Sequence, residues 1–112
     1  MISEANLIKQ NDTEHVLVCL SASPSNGRIV QTAARMAKAF NASFTALYVE
    51  TRNTDKMDEA DRNRLDYHMK LAKQLGADIN TIYGDDVSYQ IAEYARISGV
   101  TKIVIGRSNI KN

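Results

Sequence analysis

Two periods of hydrophobic and polar residues alternate along this chain, and together they predict four strands and three helices. Short apolar runs predict strands at 15–20, 43–49, 78–83 and 102–105. Between the strands, apolar residues at helical spacing predict helices at 26–40, 57–75 and 87–98. The order β-α-β-α-β-α-β favours a parallel sheet with helices on both faces. The pattern therefore predicts a three-layer α/β fold built on an open parallel sheet.

Each predicted helix has one apolar face, and the second strand has two. The helix residues expected to face the sheet are Ile29, Val30, Ala33, Ala34, Ala37 and Phe40 in the first helix, Leu65, His68, Met69, Ala72 and Leu75 in the second, and Val87, Ile91, Ala92 and Ala95 in the third. The second strand places Phe44, Ala46 and Tyr48 on one face and Thr45, Leu47 and Val49 on the other. The expected left-handed helix terminators are Asn41, Gly76 and Gly99.

The first strand runs into a turn of small polar residues, around which the rest of the chain is organised. Ser21, Ser23 and Ser25 lie in this turn, and Asn26 opens the first helix. Any one of Ser23, Ser25 and Asn26 can supply the N-cap oxygen of that helix. A turn of this kind lies at the carboxyl end of its strand, where ligands bind in open α/β sheets. The turn is therefore the candidate ligand site.

The composition is that of one ordinary globular domain. The chain has 112 residues, of which 44% are hydrophobic, and its formal net charge is +1, which does not indicate a nucleic-acid or membrane footprint. No apolar run approaches the roughly 18 residues of a membrane span. Residues 1–13 are polar and are expected to be a linker or lead-in, with the domain at 14–112. Cys19 is expected to be a small buried hydrophobic residue.

Patterns typical of catalysis or metal binding are missing from the sequence. His15 and His68 are far apart and have no cysteine or carboxylate cluster around them, so no metal site is expected. A phosphate-binding Gly-Lys-Ser/Thr loop, an HExxH motif and a Ser-His-Asp order are also missing. Asp85 and Asp86 precede the third helix and are expected to cap it. These observations predict a binding module without catalytic residues.

Several segments resemble universal stress protein domains. Residues 15–20 resemble their first strand, and residues 91–106 resemble their last helix-strand unit. Within that superfamily, residues 47–51 (Leu-Tyr-Val-Glu-Thr) and 105–108 (Ile-Gly-Arg-Ser) are most similar to the module of KdpD sensor histidine kinases. The resemblance covers about residues 14 to 110. It implies a Rossmann-like, adenine nucleotide alpha hydrolase-like fold, here truncated after strand four.

A sharper pattern spans the first turn and the second strand. Ser21-x-Ser23 is followed by twenty residues, 24–43, and then by Phe44-Thr45-Ala46-x-Tyr48. This resembles the Ser-x-Ser and Phe-Thr-Ala-x-Tyr signature of KdpD modules that bind cyclic di-AMP, which implies that ligand and no other cofactor. ATP-binding stress proteins usually carry an acidic residue in the first turn and a Gly-rich loop after strand four. This sequence has neither, which disfavours ATP.

The candidate ligand-binding residues come from three parts of the chain. They are Ser21, Ala22, Ser23, Asn26 and Arg28 from the first turn and helix, Phe44, Thr45, Ala46 and Tyr48 from the second strand, and Gly106, Arg107 and Ser108 after the fourth. Hydroxyls, backbone N–H groups and the helix dipole at the first turn suit two phosphates. Arg107 is expected beside that turn if strands one and four are neighbours, where it can pair with a phosphate or stack on adenine. Tyr48 is expected to contact a base, and Phe44 to be a core residue that positions the strand.

The KdpD resemblance implies the regulatory domain of a membrane-bound kinase of potassium homeostasis, with the domain itself cytoplasmic and non-catalytic. The expected partners are cyclic di-AMP and other domains of the same kinase, with a homodimer left open, and neither nucleic acid nor direct membrane contact is expected. The fourth strand, as an uncovered edge strand, is expected to have a covering partner. Two alternatives stay open: an ATP- or AMP-binding stress protein, and a ligand-free interaction module that docks through the fourth-strand edge.

Overall fold

A computed structural model of the chain describes residues 14–106, which form one sheet of four parallel strands with three helices. The strands are β1 (His15–Cys19), β2 (Ser43–Glu50), β3 (Asp78–Tyr83) and β4 (Lys102–Val104). The helices are α1 (Asn26–Phe40), α2 (Glu59–Gln74) and α3 (Val87–Ser98), and a short 3-10 turn covers Thr54–Lys56. The strand order is β3-β2-β1-β4, so the first and fourth strands are neighbours as expected. The predicted α/β fold class is confirmed.

Helices cover both faces of the sheet, because β1 and β2 are apolar on both sides. On one face, Val16, Val18 and Ala46 pack against α1 and α2. On the other face, Leu17 and Leu47 pack against Ala95 of α3. The predicted alternation of side chains in β2 is therefore confirmed.

Local chemistry determines where the helices begin and end. The side chain of Asp58 accepts a hydrogen bond of 2.8 Å from the backbone N–H of Asp61, so α2 begins at Glu59, two residues later than predicted. Asn41 and Gly99 have φ values of 54° and 69° and end α1 and α3 in the predicted left-handed conformation. The strands differ from prediction by one residue: β1 and β4 end one residue earlier and β2 ends one later.

Four residues expected to face the sheet are exposed instead: Phe40, Leu75, Val87 and Ala92. Each lies outside the stripe that its helix buries. Phe40 lies in the last turn of α1, and Leu75 directly follows α2. The Nζ atom of Lys102 lies over the Phe40 ring, 4.5 Å from its centroid. Val87 opens α3, and Ala92 lies one residue past Ile91, about 100° around the helix from the face that packs.

The two acidic residues before α3 have different roles. The Asp86 side chain accepts from the backbone N–H of Tyr89 at 3.1 Å and caps α3 as predicted. The prediction that Asp85 also caps the helix is wrong. Its carboxylate accepts from Nε and Nη2 of Arg52, at 2.9 and 2.7 Å, and from the Arg52 backbone N–H. These hydrogen bonds hold the pKa of Asp85 below its usual range and join the loops after β2 and β3.

Candidate functional site

A cleft of about 210 Å³ lies at the carboxyl end of β1 and beside the end of β4. Its polar wall is the predicted serine turn, and its apolar wall comes from three other elements. The lining residues are Cys19, Leu20, Ser21, Ser23, Ser25, Asn26, Ile29, Val87, Ile91, Ile105 and Gly106. The position agrees with the rule that ligands of parallel sheets bind beyond the carboxyl ends of the strands.

Asn26 holds the turn together from the inside. Asn26 is 3% exposed, and the two polar atoms of its side-chain amide bond to the backbone where β1 runs into the turn. Nδ2 donates to the carbonyl oxygen of Cys19 at 3.0 Å, and Oδ1 accepts from the backbone N–H of Ser21 at 3.1 Å. Asn26 is thus a predicted site residue whose side chain joins the start of α1 to the end of β1.

The serine hydroxyls bond within the turn and do not cap the start of α1. Ser23 N–H donates to Ser21 Oγ at 3.2 Å, and the hydroxyls of Ser23 and Ser25 lie 3.1 Å apart. Ser25 is the N-cap residue, but within residues 14–106 no side chain supplies a capping hydrogen bond to α1. The expectation that Ser23, Ser25 or Asn26 provides the N-cap oxygen is therefore wrong. Backbone carbonyls accept there instead, Ser23 O from the N–H of Asn26 at 3.0 Å and Ser25 O from the N–H of Arg28 at 3.1 Å. The positive end of the α1 dipole still lies beside the cleft.

The opposite wall of the cleft is apolar and open to solvent. Val87 and Ile105 are 40% and 53% exposed, although both are large aliphatic residues. They line the cleft together with Ile29 and Ile91. The cleft therefore combines hydroxyl and amide donors with a flat aliphatic surface, which are the two kinds of surface that a nucleotide needs.

The helix α2 supports the turn from behind through two side chains that the sequence analysis did not assign to the site. Arg64 Nε donates to the carbonyl oxygen of Ala22 at 2.6 Å. His68, which was expected to be a core residue and is buried at 3% exposure, lies with Nδ1 2.9 Å from the carbonyl oxygen of Ser21. Because a carbonyl oxygen only accepts, Nδ1 carries the proton. These partners are 42 and 47 residues apart in the sequence, and helical periodicity alone carries no signal of such pairs.

The second-strand residues of the signature lie beneath and beside the site, not in the cleft. Phe44, Thr45 and Ala46 are buried in the sheet, and the hydroxyl of Thr45 bonds to Nε2 of His15 at 2.8 Å. Phe44 was expected in the core, and it is there. Tyr48 is buried at the carboxyl end of β2, and its hydroxyl lies 3.4 Å from Thr54 Oγ1.

The remaining predicted residues fall at the edges of the site. Ala22 packs against the core beside α2, and Arg28 is exposed in the first turn of α1. Gly106 lines the cleft next to Ile29, so the described chain ends at the site. Arg107 and Ser108 lie outside the described residues.

Cys19 is half-buried at the floor of the cleft, and burial raises the pKa of its thiol to about 11 from an ordinary value of 9.0. The native thiol is therefore expected to react with a disulfide reagent much more slowly at neutral pH than the thiol of the urea-unfolded chain. Because the unfolded chain loses this proton first, the contribution of Cys19 to stability is constant below pH 9 and declines as the pH rises toward 11.

Thiol labelling measured in parallel on native and unfolded protein checks this expectation, with Cys19→Ala as the blank. Equal labelling rates in the two states would contradict a buried, protonated Cys19.

Comparison with protein families gives one decisive match. The model of the universal stress protein family matches residues 13–111, almost the whole chain. The chain belongs to the universal stress protein family.

The curated relatives of this universal stress protein domain are much longer proteins. The chain is 35% identical over 108 residues to the sensor protein KdpD of Clostridium acetobutylicum, which covers 96% of the chain and 12% of that protein. It is 29% identical over 92 residues to KdpD of Escherichia coli, covering 82% of the chain and 10% of that protein. The chain thus spans about a tenth of the length of the sensor proteins it matches.

Solved structures of universal stress proteins share the fold. One from Archaeoglobus fulgidus superposes with a TM-score of 0.66 at 16% identity, covering 91% of this chain and 81% of that one. UspA from Lactobacillus plantarum gives 0.61 at 21% identity, covering 90% and 81%. A universal stress protein solved in complex with cAMP gives 0.52 at 20% identity, covering 84% and 96%. At these identities the likeness supports the fold.

A larger groove of about 750 Å³ lies at the opposite end of this universal stress protein domain, between the last turns of α1 and α2. Arg35, Lys38 and Gln74 line it together with Phe44 and Leu75. It lies at the amino ends of the strands and at the carboxyl ends of two helices, where the helix dipoles disfavour phosphate. The smaller cleft is therefore the better candidate for a nucleotide.

Among the helices of residues 14–106, none is long and apolar enough to cross a membrane.

Proposed function

We propose that this universal stress protein domain binds cyclic di-AMP in the cleft after β1 and acts as a ligand-binding module, not as a catalyst. The observation that carries the proposal is the pairing of two unlike walls: serine hydroxyls at the N-terminus of α1 on one side, and exposed Val87 and Ile105 on the other. Cyclic di-AMP has the matching composition, with two singly charged phosphates and two flat adenines.

The turn can donate hydrogen bonds to phosphate without losing its own structure. Ser21 Oγ accepts from the Ser23 backbone N–H, so its hydroxyl hydrogen is available to a ligand oxygen. In the Ser23–Ser25 pair, one hydroxyl donates to the other, and the second hydroxyl hydrogen is available in the same way. The positive end of the α1 dipole adds to the attraction.

The four aliphatic side chains of the other wall suit an adenine ring. Val87 and Ile91 come from α3, Ile105 follows β4, and Ile29 comes from α1. The volume of about 210 Å³ is below the roughly 300–1,000 Å³ that is typical of ligand pockets, so the described residues supply part of the enclosure. Arg107 and Ser108, which directly follow Gly106, are proposed to add the phosphate-binding cation and a further hydroxyl.

The second half of the signature is proposed to act mainly through position. Buried Phe44, Thr45 and Ala46 fix β2 against β1, and Tyr48 orders the loop after β2 through Thr54. In this proposal, direct ligand contacts come from the turn and from the segment after β4. Arg28, exposed in the first turn of α1, contributes positive charge near the phosphates.

The similarity to KdpD proteins supports a regulatory setting for this binding. We propose that the domain is the cyclic di-AMP-sensing part of a KdpD-type, potassium-responsive sensor histidine kinase, in which it lies on the cytoplasmic side. Ligand binding then regulates the kinase by favouring the one state of the domain in which the cleft is complete.

Calorimetric titration tests the proposal. Cyclic di-AMP is expected to bind saturably, and Ser23→Ala is expected to weaken it by roughly 1–3 kcal/mol, or roughly 5- to 150-fold in Kd, because a hydrogen bond to a charged phosphate is lost. Ser43→Ala is the matched control, since Ser43 is exposed at the opposite end of the sheet.

ATP, AMP and cAMP titrated under the same conditions separate the alternatives. Saturable binding of ATP or AMP without a response to cyclic di-AMP would overturn the proposal in favour of a nucleotide-binding stress protein. No heat with any nucleotide would overturn it in favour of a ligand-free interaction module. Unchanged affinity in Ser23→Ala would remove Ser23 from the site.

A further inference from the structure

The helix α2 supplies no lining residue to the described part of the cleft, yet two of its side chains reach the turn that forms the polar wall. Both contacts end on backbone carbonyl oxygens. Arg64 Nε donates to Ala22 at 2.6 Å, and His68 Nδ1 donates to Ser21 at 2.9 Å. We infer that Arg64 and His68 are positioning residues: His68 turns the Ala22 N–H toward the cleft, and Arg64 turns the Ser23 N–H toward the Ser21 hydroxyl of the cleft wall; this inference rests on the proposed function.

Because the peptide bond is planar, the two carbonyl contacts also determine where the N–H groups of the turn point. In a trans peptide the N–H points opposite to the C=O of the same unit. When α2 holds the carbonyls of Ser21 and Ala22, the N–H groups of Ala22 and Ser23 point away from α2. The cleft is lined from β1, α1, α3 and the segment after β4, which is the side away from α2.

One of these two N–H groups already donates a hydrogen bond within the turn. The Ser23 N–H donates to Ser21 Oγ at 3.2 Å, which orients that hydroxyl within the cleft wall. The Ala22 N–H shares its peptide unit with the Ser21 carbonyl, so it is directed by His68. Arg64 and His68 therefore act on both donor types of the turn, the amide and the hydroxyl, without touching the ligand.

The Arg64 guanidinium is also paired within α2. Its Nη2 donates to Asp61 Oδ1 at 2.7 Å, and the backbone N–H of Asp61 is bonded to the α2 N-cap residue Asp58. Because its Nε and Nη2 donors are already used within the protein, we assign Arg64 orientation and not phosphate charge. His68 is buried, and its ring lies 3.6 Å from the place that a Cβ on Gly27 would occupy, so it also packs against the start of α1.

Variants at position 64 test the inference because the Arg64 side chain is 36% exposed and its loss leaves the core intact. Arg64→Met keeps the aliphatic length but removes the donor, and it is expected to weaken cyclic di-AMP about tenfold. Arg64→Lys keeps a donor and is expected to recover part of the affinity. The matched control is Arg62→Met, because Arg62 bonds to Thr54 of another loop and not to the turn.

A measurement without nucleotide separates this inference from the proposed function. In ¹⁵N-resolved NMR spectra of the free protein, Arg64→Met is expected to shift the amide signals of Ala22 and Ser23, and Arg62→Met is expected to leave them in place. His68→Asn, whose amide nitrogen can replace Nδ1 as a donor, is expected to keep these signals closer to wild type than His68→Gln.

If wild type binds cyclic di-AMP and Arg64→Met binds it with the same affinity, the positioning role is overturned. Amide signals of Ala22 and Ser23 that do not move in Arg64→Met would overturn it as well. If wild type does not bind cyclic di-AMP, the proposed function fails, and the amide signals alone then decide whether α2 orients the turn.

Discussion

Replacing Asn26 with alanine is expected to lower the free energy of unfolding by about 2–4 kcal/mol, because the backbone groups of Cys19 and Ser21 lose their partner. Both lie at the strand-to-turn junction, and Asn26 itself is buried. The same change frees the turn, so cyclic di-AMP affinity is expected to fall at least as far as in Ser23→Ala. Urea unfolding and calorimetric titration measure the two effects.

The matched control is Gln31→Ala, since Gln31 is exposed on the same helix. It is expected to leave both stability and binding close to wild type. An Asn26→Ala protein as stable as wild type would show that the turn holds its shape without the side-chain amide, and would contradict this account of the site.

Truncating Leu47 to alanine is expected to cost about 2–5 kcal/mol of unfolding free energy. Leu47 is fully buried in β2 and packs in the cluster that joins the sheet to α3, so the missing atoms leave a cavity. Cyclic di-AMP binding at a temperature where the variant is folded is expected to persist, because Leu47 does not line the cleft. Thermal and urea unfolding provide the measurement.

Ile103→Ala is the control for that cavity. Ile103 pairs in register with Leu17 on the α3 side of the sheet, but it is 45% exposed on the edge strand β4. Its truncation is expected to cost far less than that of Leu47. If the two variants lost similar amounts of unfolding free energy, the edge of the sheet under α3 would be buried as fully as its centre. That result would contradict the described packing.

Periodicity predicted the elements because each one buries a local stripe. The bounds of α1, β3 and α3 agree with the prediction residue for residue, and β2 alternates as expected. The errors at Phe40 and Val87 arose at helix ends, where the apolar stripe extends past the surface that covers it. Val87 also lines the cleft, and the periodicity of α3 alone cannot show that a cleft lies beside its first residue.

The partners in the site were less predictable because they are distant in sequence. Asp85 has the pattern of a helix cap, but Arg52, 33 residues earlier, binds its carboxylate. The serines also have the pattern of a cap, yet their hydroxyls bond to one another and to the turn. Arg64 stands among other acidic and basic residues in the sequence, and only the packing of α2 brings it to Ala22.

The most direct test is an amide NMR titration of the wild-type protein with cyclic di-AMP. The account predicts saturable shifts concentrated in residues 21–26, at Gly106 and at Val87, with little change at Arg35 and Lys38 in the groove at the other end of the sheet. Shifts confined to that groove, or no shifts at saturating ligand, would contradict it.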